Sequence, residues 1–292
     1  MVSSSQTSIY NVLESFMARH RVLILFIYTF TIVWVAFFAS KVIGEITYGT
    51  EAMGKLYSLI GSLPLIGILA FRRYFIEQGR AVFWKKFSLR NNWSYSPTLD
   101  LSKESAVLLK QGNSGRSAKY ELRKIIDGRQ IRIFYYTFTV SAGKHTYTYS
   151  YTVFGFTFNG SFPHLYLDRN LNTYGVNNTT LVRFGVNIDL PPVSLPTEFE
   201  QKFKLYVPEK YEIEALQIFT PDILAHLLDI NFKYDIEFVD QEVLVFIDGE
   251  IDSLDKLEKE FEVAKKIRDL LAPTLNSIKF SPIGDRPHYL SR

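Results

Sequence analysis

The chain has 292 residues, 47% of them hydrophobic, a formal net charge of only +3, and no cysteine. The absence of cysteine excludes disulfides, thiolate metal sites and thiol nucleophiles. The small net charge hides a polarity: residues 72–132 hold 14 basic and 5 acidic side chains, net +9, and residues 198–269 hold 9 basic and 19 acidic, net −10.

The N-terminal segment 1–20 opens on a small, polar stretch. Ile9, Val12, Leu13 and Phe16 then recur at helical spacing, which predicts an interfacial helix over Ser8 to Arg19. A transmembrane hairpin is expected over 21–76, with spans at 22–43 and 56–75. The first run carries one ionisable residue, Lys41, and the second is uncharged up to Arg72-Arg73. A hydrocarbon core needs about 20 apolar residues at ~1.5 Å each, so the first run suffices and Tyr74, Phe75 and Ile76 extend the second. Pro64, Gly61 and Gly67 are tolerable there, because neighbouring groups satisfy the freed backbone. The first run is too long for the h-region of a cleaved signal peptide, and a second span follows it at once.

Flanking charge sets the orientation. Arg19 and Arg21 precede the first span and Arg72, Arg73, Arg80, Lys85 and Lys86 follow the second, while the connecting loop carries Glu45, Glu51 and Lys55. Lys/Arg excess marks the cytoplasmic side, so a multi-pass protein of the inner membrane with both termini cytoplasmic is predicted. From Tyr74 to Leu89 aromatics alternate with cations, as in a helix leaving the bilayer; its basic juxtamembrane part is 77–92.

From Trp93 the pattern turns to strands, and 93–190 reads as an antiparallel β-rich region. Ser102 to Lys110 is expected to form one short helix. Lys119–Ile126 and Gln130–Val140 flank Asp127-Gly128, a hairpin signal because both positions tolerate positive φ. Thr137–Val140 and Thr146–Phe158 flank Ser141 to Lys144, a second hairpin whose tyrosines (147, 149, 151) share one face. Phe162–Leu167 and Leu181–Ile188 are further strand candidates. After the proline-rich connector 191–196 comes an α/β segment, 197–275, read as β-α-β-β-α. Its elements are a strand near Phe199–Val207, a strand or short helix near Tyr211–Phe219, and a helix over Asp222–Asp229 capped by Thr220-Pro221. A hairpin about Asp240-Gln241 follows, then a helix over Ser253–Leu271 stopped by Pro273. Residues 276–292 hold little periodicity and are expected to be flexible. The predicted class is therefore α+β: a two-helix transmembrane hairpin followed by a cytoplasmic antiparallel β-rich domain.

No Walker loop, GxGxxG, HExxH, EF-hand or GxSxG spacing occurs, and no cofactor, metal or catalytic residue is assigned. Asp222 and His226 suit a surface ion pair, and Asp235 and Glu237 share a strand face that reads as a solvated edge. His164 lies near Asp168 with no nucleophile beside it, and Gly112 to Arg116 reads as a connecting loop before it reads as an anion cradle. The candidate anion or lipid-headgroup contacts are Arg72, Arg73, Arg80, Lys85, Lys86, Arg116, Lys119, Arg123 and Lys124, at roughly 1 kcal/mol each near an anionic surface.

The stretches Phe203–Val207, Tyr211–Leu228 and Tyr234–Phe246, after two spans, a basic juxtamembrane helix and a Trp-initiated β-rich region, resemble an uncharacterised bacterial family of two-span membrane-anchored proteins of unknown function. That resemblance implies no activity. More weakly, strands from 119 to 188 followed by a helix are similar to bacterial two-span proteins bearing a pleckstrin-homology-like domain. The expected function is a non-enzymatic interaction or scaffold module whose partners are the lipid bilayer and another protein met by the acidic C-terminal half. Nucleic acid is excluded, because the basic region carries no recognisable binding motif. The alternatives are an anionic-lipid or anion-binding module and an enzyme acting on a membrane or envelope substrate.

Overall fold

The two long apolar runs form helices. The computed structural model of the chain describes residues 21–48, 51–110, 114–142, 144–169, 193–208 and 211–278, together with Glu14, Ala18 and Gly112. Helix α1 is Arg21–Tyr48 and α2 is Glu51–Asn91, with Pro64 inside it. Within them Ile24–Gly44 and Ser58–Asn91 are long and apolar enough to cross a membrane, by length and composition. Their apolar side chains are uncovered; Val22 is 82% exposed, and Ile32, Val33, Leu59 and Leu69 stand out likewise. The two helices meet through small residues. A Cβ on Gly61 would lie 2.8 Å from Phe38 Cβ, and the Trp34 indole donates to the Ile60 carbonyl at 3.4 Å. Trp34 also packs at a tilt between Phe30 and Phe38, one helical turn away on either side.

The chain divides into two compact units near Lys86. Six strands of the second unit form one antiparallel sheet: β1 (Ser94–Leu99), β2 (Ser114–Ile126), β3 (Arg129–Ala142), β4 (His145–Arg169), β5 (Phe203–Tyr206) and β6 (Asp235–Asp248). Their order is β1-β2-β3-β4-β5, and β6 pairs with β4. The strands on both sides of the proline-rich connector thus share one sheet. The Asp127-Gly128 hairpin forms with both residues at positive φ (53° and 73°), and the second hairpin closes with Ala142 opposite His145. Short helices α3 (Thr197–Glu200), α4 (Glu212–Ile218) and α5 (Pro221–Asp229) lie between β4 and β6, and α6 (Leu254–Ser277) closes the described chain. Thr220 caps α5, its hydroxyl accepting from the Ile223 N–H.

Two faces of the sheet are apolar because alternate residues point each way. One face gathers Phe134, Tyr136, Phe138 and Val140 of β3, Tyr151 and Val153 of β4, and Leu244 and Phe246 of β6 over Ala106–Leu109. On the other, Phe154 of β4 meets Phe261 of α6, which in turn packs edge-on against Trp93. Leu257, Ala264, Ile267 and Leu271 line the buried side of α6, as their spacing predicts.

Several local readings are overturned. Ser102–Lys110 is not one helix: Leu101–Lys103 and Leu108–Lys110 are separate 3-10 turns, and Ala106–Leu109 is buried. The Asn159–Ser161 break and the Asp240-Gln241 turn signal do not end strands. A straight 25-residue strand would run about 80 Å, and β4 and β6 instead bend together where their register slips, between Thr157 and Leu165. Asp240, at φ 53°, supplies the bend on β6, so the C-terminal segment holds one long strand where two were expected. Phe199 belongs to α3 rather than to β5. Pro273 does not stop α6: Leu271 and Leu275, both buried, hold the last turn through the proline. Phe87 is buried and packs on Trp93. The expected helix over Ser8–Arg19 except Glu14 and Ala18, the strand Leu181–Ile188 and most of the C-terminal tail lie outside the described residues.

Candidate functional site

Charged side chains are buried where the sheet provides partners. Arg132 of β3, 6% exposed, grips Glu104 through two hydrogen bonds of 2.7 Å and Glu242 of β6 through two more. Glu121 of β2 lies 3.9 Å away and pairs with Arg123 at 2.8 Å. Burial works against the Arg132 charge, but Glu104 and Glu242 more than offset it and hold the guanidinium protonated. Burial likewise raises the Glu242 carboxyl, opposed by Arg132. Gly155 lies opposite Arg132 in the register, and a Cβ there would come within 2.8 Å of Arg132 Cγ and strike Glu242 Oε1. Glu104 and Glu121 also line a cleft of about 440 Å³, together with Ser94, Ser96, Thr98 and Asp100 among others.

A second polar group sits on the face of β4 that carries His164, Tyr166 and Asp168, all buried. Glu237 of β6 receives the His164 Nε2 contact and accepts from the N–H groups of Val107 and Leu108, the latter at 3.1 Å. Tyr136 donates to the Leu109 carbonyl at 3.0 Å. Glu237 and Tyr136 thus serve the buried segment at 106–109, whose backbone must find partners away from water. Tyr166 donates to Asp168 Oδ1 at 3.2 Å, while Asp168 Oδ2 has no hydrogen-bond partner among the described residues. Burial raises the Asp168 carboxyl to about 7, against the hydrogen bond from Tyr166 and the charge of Lys204. Asp235, next to it across the strands, accepts from the Arg169 N–H at 2.8 Å. Asp235 and Glu237 are therefore buried groups, not a solvated edge.

The candidate cations are spread over both units. Arg72, Arg73, Lys85 and Lys86 are exposed along α2, and Arg80 of the same helix pairs with Glu77 at 2.9 Å. On β2, Arg116 donates to the Lys110 carbonyl at 3.2 Å, Lys119 stands opposite Thr98, Arg123 lies beside Glu121, and Lys124 donates to the Asn91 carbonyl at 2.7 Å. That last bond joins the end of α2 to the tip of the β2–β3 hairpin. Nothing collects the nine cations into one pocket among the described residues.

Asp222 and His226 are exposed on α5 with no ion pair between them. Gly112 and Gly115 both take positive φ, and Ser114 to Arg116 already belong to β2. Tyr151 is core and Tyr149 packs on Phe138, leaving Tyr147 outermost. No group of three or more histidine or acidic side chains among the described residues is placed to hold a metal. The Arg132 cluster escapes a reading of the sequence, since its members are 28 and 110 residues apart along the chain. Only one clue existed: Glu104 and Glu121 are rare acids in a basic stretch.

The fold and these surfaces define an α+β protein in which two uncovered apolar helices precede a six-stranded antiparallel sheet. No protein-family model matches the chain, and no curated protein sequence matches it. Among solved structures it is similar to the crystal structure of the mycobacterial trehalose monomycolate transport factor A, TtfA, at 12% identity and a TM-score of 0.47. The match covers 70% of this chain and 98% of that one.

Proposed function

We propose that the chain is a two-span, membrane-anchored and non-enzymatic interaction module of the bacterial inner membrane, with both termini and the sheet on the cytoplasmic side. The observation that carries this reading is the uncovered apolar surface of α1 and of the first half of α2, which water would penalise at about 25 cal/mol per Å² and a bilayer would not. Arg72, Arg73, Lys85 and Lys86 follow the second span and meet anionic headgroups. The docking surface is the outward side of α4 and α5. There Glu212 and Glu214 flank Ile213, which is 72% exposed, along α4, and α5 carries the exposed Asp222 and Asp229; Leu216 and Ile230 are partly exposed. Apolar centres ringed by like charge are a common form of docking patch for a partner of opposite charge.

Because the chain lacks cysteine, single introduced thiols report topology cleanly. The chain should stay with membranes through alkaline carbonate extraction. A membrane-impermeant maleimide should label Thr50→Cys in intact cells and Ile125→Cys only after permeabilisation. The reverse pattern would overturn the orientation, and release by carbonate would overturn the anchor. A protein that co-purifies with the parent chain and is lost from the Glu212→Gln/Glu214→Gln variant would establish the docking surface.

A further inference from the structure

We propose that the partner met by the acidic surface is a second copy of this chain, docking through the basic end formed by the last turn of α2 and the tip of the β2–β3 hairpin. The proposal rests on the interaction-module reading and names its partner. Both surfaces belong to the sheet unit. The basic end carries Leu89 and Ile125, 71% and 73% exposed, beside Arg90, Lys124 and Arg129. Lys124 is held by a carbonyl oxygen and Arg129 by the Asn276 amide, so both contacts are neutral and leave the positive charge unbalanced. Arg90 has no ion-pair partner among the described residues, and neither have Glu212, Glu214, Asp222 and Asp229. One chain thus presents two patches of opposite sign, each with exposed branched aliphatic side chains. Among the described residues neither Arg90 nor the four acids are ion-paired, although Asp127 also stands exposed at the hairpin tip.

Two further arguments favour a second copy over a foreign basic protein. The anchors confine copies to one membrane in one orientation, which raises their effective concentration. Opposite patches of one protein also attract while like patches repel, so the contact is directional. Because the patches differ, the contact is heterologous, and it builds rings or rows in the membrane plane rather than closing as a two-fold dimer.

The test uses the full-length chain in its membrane. Ile125→Cys and Ile213→Cys variants, carrying different tags, are co-expressed and treated with a short bismaleimide. The expected result is a mixed cross-linked dimer, at least about tenfold above that of either variant with itself, as opposite-patch attraction requires. Glu212→Lys/Glu214→Lys in the Ile213→Cys chain should abolish it, and Arg90→Glu/Lys124→Glu in the Ile125→Cys chain should restore it. The absence of a mixed dimer, a product dominated by Ile213→Cys with itself, or failure of the charge swap to rescue would each overturn the proposal. If Ile213→Cys then cross-links a different protein in a charge-dependent way, the interaction-module reading stands and only the second copy falls. If it cross-links nothing, both fall.

Discussion

The two buried polar groups of the sheet meet the same problem in opposite ways. Around Arg132 a cation is enclosed by Glu104 and Glu242, with Glu121 at the edge, and every guanidinium nitrogen has an acceptor. Around Asp168 no cation among the described residues makes a hydrogen bond; a tyrosine hydroxyl donates to it, and burial raises the carboxyl to about 7. The difference teaches what a protein interior allows. A buried charge persists when an opposite charge and full hydrogen bonding come with it, and otherwise the group is driven towards its neutral form.

The largest expected effect breaks the first group. Arg132→Met keeps the apolar stem and leaves three carboxylates facing one another, which should cost about 3–5 kcal/mol. In thermal unfolding of the detergent-solubilised chain this appears as a Tm lower by about 10 °C. A loss under about 1 kcal/mol would mean that the carboxylates reach water without the arginine. Gly155→Ala presses a methyl group into the same cluster and should cost about 1–3 kcal/mol, as overpacking does. Were the variant as stable as the parent, the packing of Arg132 against Gly155 would not be a constraint.

The second group gives smaller effects. Glu237→Gln keeps one acceptor oxygen but gives up a charge-assisted contact with His164 or a backbone N–H, and about 1–2 kcal/mol should go with it. Amide exchange at Val107 and Leu108 should quicken in step, and unchanged exchange there would remove Glu237 from its role in holding the loop. Asp168→Asn should alter slope more than height. The folded carboxyl, at about 7, lies above the unfolded value of about 3.9. The native state therefore holds its proton longer, and its contribution to stability falls as pH rises from about 4 to 7, then stays level. In Asp168→Asn that fall should vanish from a Tm series taken between pH 5 and 8. A variant with the parent's slope would show that Asp168 is ionised in the folded protein across that range.

Much of the architecture was legible because its causes are local. Two apolar runs closed by Arg72-Arg73 specify α1 and α2, and Asp127-Gly128 sets a two-residue turn through its tolerance of positive φ. Thr220-Pro221 starts α5 with a hydroxyl acceptor and a ring that needs no N–H, and the 3.6-residue rhythm from Leu254 to Leu271 marks the buried side of α6. These features need only their neighbours in the chain, and the sequence by itself determined them. Other outcomes depended on distant residues. Asp235 and Glu237 read as solvent-facing until Val107, Leu108, His164 and Arg169 arrive from elsewhere to satisfy them. Asp240-Gln241 reads as a turn until β4 offers a ladder on both sides of it. Ser102 to Lys110 has the composition of a helix, yet Glu237 and Tyr136 bind its backbone in another form. Pro273 reads as a stop until the burial of Leu271 and Leu275 outweighs one lost hydrogen bond. Only the tertiary structure decided these, because a buried polar group is stable or costly according to partners that lie a hundred residues away.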